Sequence, residues 1–78
     1  RAAHDAWRRG ETDGRRLEAV ACWALEVYPG VRPEYISAVE PDALAPVDTV
    51  GAGCLMLVAA RVGSTRLIDN VVFGEGIP

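Results

Sequence analysis

Residues 53–70 read GCLMLVAARVGSTRLIDN, and the reading of this stretch decides the fold. Cys54 to Ala60 is an unbroken apolar run, Gly63-Ser64 interrupts it, and Arg66 to Phe73 resumes apolar residues spaced by polar ones. Two such runs across a two-residue gap that opens with Gly form a β-hairpin with a type II′ turn. Glycine is wanted at the first turn position because φ there is positive, a region a Cβ resists. Counting outward from the turn pairs Val62 with Thr65, Ala60 with Leu67, Val58 with Asp69, Met56 with Val71 and Cys54 with Phe73. The opposite face pairs Arg61 with Arg66, Ala59 with Ile68, Leu57 with Asn70 and Leu55 with Val72. Both faces are mostly apolar, the pattern of strands covered on both sides.

Working outward, Val31 to Glu40 predicts a third strand. Tyr35, Ser37 and Val39 share one face of it, and Ile36 and Ala38 the other. Pro33 cannot donate to a ladder, so this strand belongs at a sheet edge or begins only after the proline. Pro41 to Ala52 is a connector, in which Pro41-Asp42-Ala43-Leu44 is expected to form one helical turn with Leu44 tucked inward. Upstream, Leu17, Val20, Ala21, Ala24, Val27 and Tyr28 repeat at helical spacing, so a helix is expected from Gly14 to Val27 with Asp13 as its cap. Pro29 and Gly30 stop it. Arg1 to Arg9 reads as a further helix ending at Gly10, with His4 on its solvent side and Trp7 packed inward. The fold class that follows is α+β: a three-stranded antiparallel sheet with Cys54–Val62 in the middle, packed against two helices.

At 78 residues the chain makes one small domain, which buries only about 60–65% of its unfolded surface. It opens on Arg1 inside a helix, which is read as a piece of a longer protein. No apolar span approaches the roughly 20 residues that cross a bilayer, and no signal-peptide pattern is present, so no membrane is expected and a cytoplasmic location is the default. The net charge is −3, with eight arginines scattered among eleven acids, which argues against nucleic acid. Cys22 and Cys54 lie on different elements without a CxxC pairing, so they read as small hydrophobes; no metal site is expected.

Two hairpin features demand partners. Asp69 falls among apolar residues, where an unpaired carboxylate is costly. Arg61 and Arg66 stand opposite each other, which is unfavourable unless an acid lies between them. Glu34 or Glu40, an anionic ligand, or a carboxylate from outside the chain would serve; the internal salt bridge is the favoured reading. Two short helices cover only one face of the sheet. The other face, with Leu55, Leu57, Ala59, Ile68 and Val72, is therefore expected to meet protein outside this chain or a second copy, as a homodimer.

LVAARVGSTRLIDN resembles the closing hairpin of the pantoate–β-alanine ligase (pantothenate synthetase) family, and EYISAVEPDALAPVD is similar to a second, looser signature of it. The resemblance implies that residues 1–78 are a single lid-type C-terminal domain of a longer enzyme. It implies a parent that uses ATP and Mg²⁺ to adenylate pantoate in a nucleotide-binding N-terminal domain, then lets β-alanine displace AMP to give pantothenate for coenzyme A. The family's His-x-Gly-His turn and Ser-Ser-Arg-Asn-type loop do not occur between Arg1 and Pro78. No catalytic, cofactor-binding or metal residue is therefore assigned, and the isolated piece is expected to be inactive. The alternatives are a stand-alone α+β interaction or dimerisation module, and a small regulatory domain holding an anion between Arg61 and Arg66.

Overall fold

The computed structural model describes residues 2–74. In chain order it contains α1 (Ala2–Arg8), α2 (Gly14–Glu26), β1 (Val31–Val39), β2 (Leu55–Val62) and β3 (Thr65–Val72). The strands form one antiparallel sheet in the order β1-β2-β3, so the hairpin's first strand is central and the proline-containing strand lies at an edge.

The hairpin has the register that the turn predicts, from Val62↔Thr65 through Ala60↔Leu67 to Leu55↔Val72. Gly63 has φ of 61°, and Ser64 is not among the residues with positive φ, which is the type II′ pattern. Backbone pairing continues past the named strands, where the Phe73 N–H donates to the Cys54 carbonyl at 2.8 Å.

α2 begins where Asp13 accepts hydrogen bonds from the N–H groups of Arg15 and Arg16 at 2.9 and 3.3 Å, satisfying donors that the helix cannot pair internally. It ends one residue before the expected Val27, which serves as its C-cap. Tyr28-Pro29-Gly30-Val31 then turns the chain, the Val31 N–H donating to the Tyr28 carbonyl with Gly30 at φ 83°. The core gathers Ala3, Leu17, Ala38, Val50, Met56 and Phe73 between the helices and the inner sheet face.

Phe73 joins the end of the hairpin to the first helix. Its ring centroid lies 5.9 Å from that of Trp7 and 6.5 Å from that of His4. Trp7 Nε1–H donates to the Val50 carbonyl at 3.1 Å, so the indole is packed and satisfied together. His4 is not on the solvent side as the helical pattern implies. It is 6% exposed, with Nε2 3.3 Å from the Gly74 carbonyl oxygen. The cause is tertiary: the chain leaving β3 crosses this face of α1 and covers the ring.

Three other expectations are corrected. Leu44 is not tucked inward but about half exposed, at φ 58°, because residues 41–45 wrap around the Glu40 carboxylate instead of coiling into a helical turn. Asp69 is exposed rather than buried, and its Oδ1 accepts from the Asn70 N–H at 2.8 Å. The division of covered and open surface also differs. On the outer face Val39 and Ala59 are buried and Leu55 and Leu57 are half-buried, while Tyr35, Ile68 and Val72 are exposed. On the inner face the helices reach β1 and part of β2 only, leaving Leu67 54% exposed.

The C-terminal end of the free edge of β1 is covered by the connector. The Val47 N–H donates to the Ala38 carbonyl at 3.0 Å and the Glu40 N–H to the Ala45 carbonyl at 2.9 Å. The Ala38 N–H is taken by the Glu18 carboxylate of α2 at 2.8 Å. Such blunting of an edge disfavours strand addition by another chain. The same connector presses on the start of α2, where the Gly14 N–H donates to the Asp48 carbonyl at 2.8 Å. A Cβ on Gly14 would lie 2.6 Å from the Val47 carbonyl oxygen, whereas one on Gly51 would meet nothing within 4 Å. Gly14→Ala is therefore expected to destabilise the fold by about 1–3 kcal/mol, the scale of core overpacking. Gly51→Ala should be close to neutral; equal urea midpoints for the two variants would contradict this account.

Candidate functional site

Three features outside the core carry polar or binding chemistry, and each follows from how the strands are joined. The first lies across the sheet near the hairpin turn. Arg32, Arg61 and Arg66 face one another in one row of three strands, Arg32↔Arg61 and Arg61↔Arg66. Like charges placed so would repel. The register of β1 against β2 shifts between Pro33 and Tyr35, leaving Glu34 as the extra residue of a bulge. From there Glu34 reaches both partners: Arg61 Nε lies 3.1 Å from Oε2 and Arg66 Nε 3.1 Å from Oε1. The internal salt bridge is thus formed by Glu34, not by Glu40. The hydrogen bond from Arg61, followed by the charges of Arg61, Arg66 and Arg32, holds the Glu34 carboxyl below its usual range despite some opposing desolvation.

The second feature is the loop after β1. Glu40 accepts from the N–H groups of Asp42, Ala43 and Ala45 at 2.9, 2.6 and 3.2 Å. These bonds, that from Ala45 foremost, hold its carboxyl below the usual range and shape the turn that sends Leu44 outward.

The third is a groove on the inner side of the sheet, with a volume of about 690 Å³. Its floor is Met56, Val58, Ala60, Leu67 and Val71, with Asp69 on the same inward-facing row. Ala21, Ala24, Leu25 and Tyr28 of α2 form one wall, and Ala2 and Ala3 of α1 close one end. Ile68 and Val62 reach the rim. The groove exists because α2 packs over β1, so that no helix of the described residues lies above the inner face of β3.

Two sequence signals bear on this groove, the shortness of the helices and the alanines at 21 and 24 on the inward stripe. Neither says which part of the sheet is left open, so the groove itself is a finding of the structure. Cys22 and Cys54 are free and half-buried. No group of three or more His, Cys, Asp or Glu side chains able to hold a metal occurs among the described residues. No helix of the described residues is long and apolar enough to cross a membrane.

The arrangement defines a two-layer α+β domain with a mostly apolar groove on the inner side of its sheet. Residues 2–72 match the family model described as pantoate-beta-alanine ligase. The chain is 45% identical over 75 residues to pantothenate synthetase of Acidobacterium capsulatum, covering 96% of this chain and 25% of that protein. It is also 45% identical over 75 residues to the bifunctional pantoate ligase/cytidylate kinase of Gloeobacter violaceus, covering 96% of this chain and 14% of that one. The crystal structure of pantothenate synthetase from Thermus thermophilus superposes with a TM-score of 0.80 at 30% identity, over 91% of this chain and 25% of that one. The chain belongs to the pantoate–β-alanine ligase family, and it spans about a quarter of the length of these single-function relatives.

The Glu34 fork yields a pH prediction. A carboxyl whose folded pKa is depressed adds stability above its unfolded pKa and loses it as pH falls through the folded value. The Glu34 carboxyl is accordingly expected to titrate below the usual glutamate range, with its contribution to stability fading as pH falls through that lowered value. Arg61→Gln should move the midpoint upward more than Arg32→Gln, as followed by NMR of the side-chain carboxyl. A Glu34 midpoint unmoved in both variants would contradict the assigned partners.

Proposed function

We propose that this chain is the C-terminal lid-type domain of a pantoate–β-alanine ligase. The parent condenses pantoate with β-alanine at the expense of ATP, in pantothenate and coenzyme A biosynthesis. The observation that carries this reading is the family match over residues 2–72, joined to the superposition on a quarter of a pantothenate synthetase. On this reading the reaction runs through a pantoyl-adenylate with Mg²⁺, in a nucleotide-binding domain elsewhere in the polypeptide, and the parent is a cytoplasmic enzyme.

Neither ATP nor Mg²⁺ is assigned to residues of this chain, and no group of three or more His, Cys, Asp or Glu side chains able to hold a metal occurs among the described residues. The groove is lined mostly by apolar side chains, with Asp69 and the Tyr28 phenol as its polar groups, and the guanidinium groups of Arg61 and Arg66 are engaged by Glu34. No step of the reaction is therefore assigned to a residue of this chain. Its part is to present a rigid surface to the remainder of the enzyme. Exposed Tyr35, Ile68 and Val72 on the outer face are the surface available for a homodimer contact.

A pantothenate-requiring bacterial strain tests the reading. The full-length parent should restore growth without added pantothenate, and purified parent should exchange pyrophosphate with ATP when pantoate is present. The 78-residue chain should do neither. Turnover by this chain alone, or a parent that forms no pantothenate, would overturn the proposal.

A further inference from the structure

The two edges of the sheet are built differently. β1 carries Pro33, a bulge at Glu34 and the connector's bridge to Val39, and the Glu18 carboxylate takes its Ala38 N–H. Each of these refuses a further strand. β3 has none of them: it contains neither proline nor lysine, and its pairing with β2 runs from Val72 to Thr65 without a bulge. Among the described residues no strand pairs with its other side. Alternation fixes which backbone groups look outward there. The Phe73 N–H points to β2, where it meets the Cys54 carbonyl, so residues 65, 67, 69 and 71 also bond inward. Residues 66, 68, 70 and 72 therefore present their N–H and C=O groups to the outside. The Asn70 N–H agrees, since its acceptor is not on β2 but is Oδ1 of Asp69, at 2.8 Å. The device that covers this edge is one exposed side chain, held by one hydrogen bond.

We infer that the open edge of β3 is an interaction surface for a second copy of this chain. The two β3 strands pair antiparallel about a two-fold axis at Ile68, giving one continuous sheet across both copies, and Asp69 is the gate that competes for the edge. The inference gives a form to the homodimer contact proposed above and rests on that reading. Closure favours this occupant. A two-fold contact fills each copy's open edge with the other's, and the blunted β1 edges stop the assembly at two.

Charge picks the register. Axes at Arg66 or Asp69 would set like charges directly opposite each other. Of the remaining axes, the one at Ile68 gives the longest overlap, pairing residues 65–71 with the same residues of the second copy. Ile68, 76% exposed in the single chain, then meets its own counterpart, and Arg66 faces the side-chain amide of Asn70. The outward groups of residues 66, 68 and 70 exchange about six backbone hydrogen bonds in this arrangement. One of them needs the Asn70 N–H, so the Asp69 carboxylate must release it before the edge is complete.

The test uses the full-length ligase polypeptide that carries this domain, with cysteines introduced on β3 and mild oxidation, read by non-reducing electrophoresis and peptide mass spectrometry. The unsubstituted protein, whose Cys22 and Cys54 are half-buried, is the control for adventitious disulfides. Ile68→Cys should give a dimer linked through position 68 of both copies. Asn70→Cys alone should not, because it faces position 66, while a mixture of Asn70→Cys with Arg66→Cys proteins should. Adding Ile68→Lys to both members of that mixture should abolish the product, since two cations then meet on the axis. Asp69→Ala in the Ile68→Cys background should bring half-maximal cross-linking at about two- to tenfold lower protein concentration, the worth of one released hydrogen bond. No dimer through position 68, a dimer from Asn70→Cys alone, or a product that survives Ile68→Lys would overturn the strand pairing. A yield unmoved by Asp69→Ala would overturn the gate. Pantothenate formation is scored separately: an active protein without the cross-link refutes only the pairing, and a cross-linked protein without activity refutes only the ligase reading.

Discussion

The register of the β2–β3 hairpin is the constraint on which the rest of this domain depends. Residues along a strand alternate between faces, so a slip of one position would carry Met56 and Phe73 from the core to the outer side and bring Leu57 and Val72 in. The left-handed conformation at Gly63 pins that register at one end. At the other, the hydrogen bond from the Phe73 N–H to the Cys54 carbonyl and the contact of Phe73 with Trp7 and His4 lock it to α1. Because β2 is central, the same register also places Arg61 opposite both Arg32 and Arg66.

That arginine row shows how a local irregularity resolves a global conflict. A regular β1 would have three guanidinium groups side by side with no acid among them. The bulge at Glu34 supplies one carboxylate that meets two of the three. Exposed pairs of this kind add little stability singly. Their effect here is on specificity, since the fork makes this strand register compatible with the charges that the sequence carries. Glu40 works similarly on the loop, collecting three backbone N–H groups that would otherwise have no partner in the turn.

The open inner groove and the family relationship support each other physically. A domain with a 7-residue and a 13-residue helix against three strands does not cover its own sheet. Small domains are already short of buried area. On the proposed reading of this chain as one domain of a longer ligase, the groove is a surface left for further polypeptide.

Much of the fold was legible from local pattern alone. The strand pairing followed from Gly63 and period-two alternation, the start of α2 from Asp13, and the edge position of β1 from Pro33, because each depends on backbone geometry within a few residues. Glu34 as partner of Arg61 and Arg66 was among the readings that residue types allowed. What only the tertiary structure decided involves elements far apart in the chain. His4 is buried because residues 73 and 74 return across α1, a contact over 70 positions that no helical periodicity contains. Leu44 points outward because Glu40 organises the loop, and Asp69 is exposed because no helix lies above β3. The groove belongs to the same class: an amphipathic stripe says that a helix has an inner face, but which strands that face covers is set by the packing of α2 on β1.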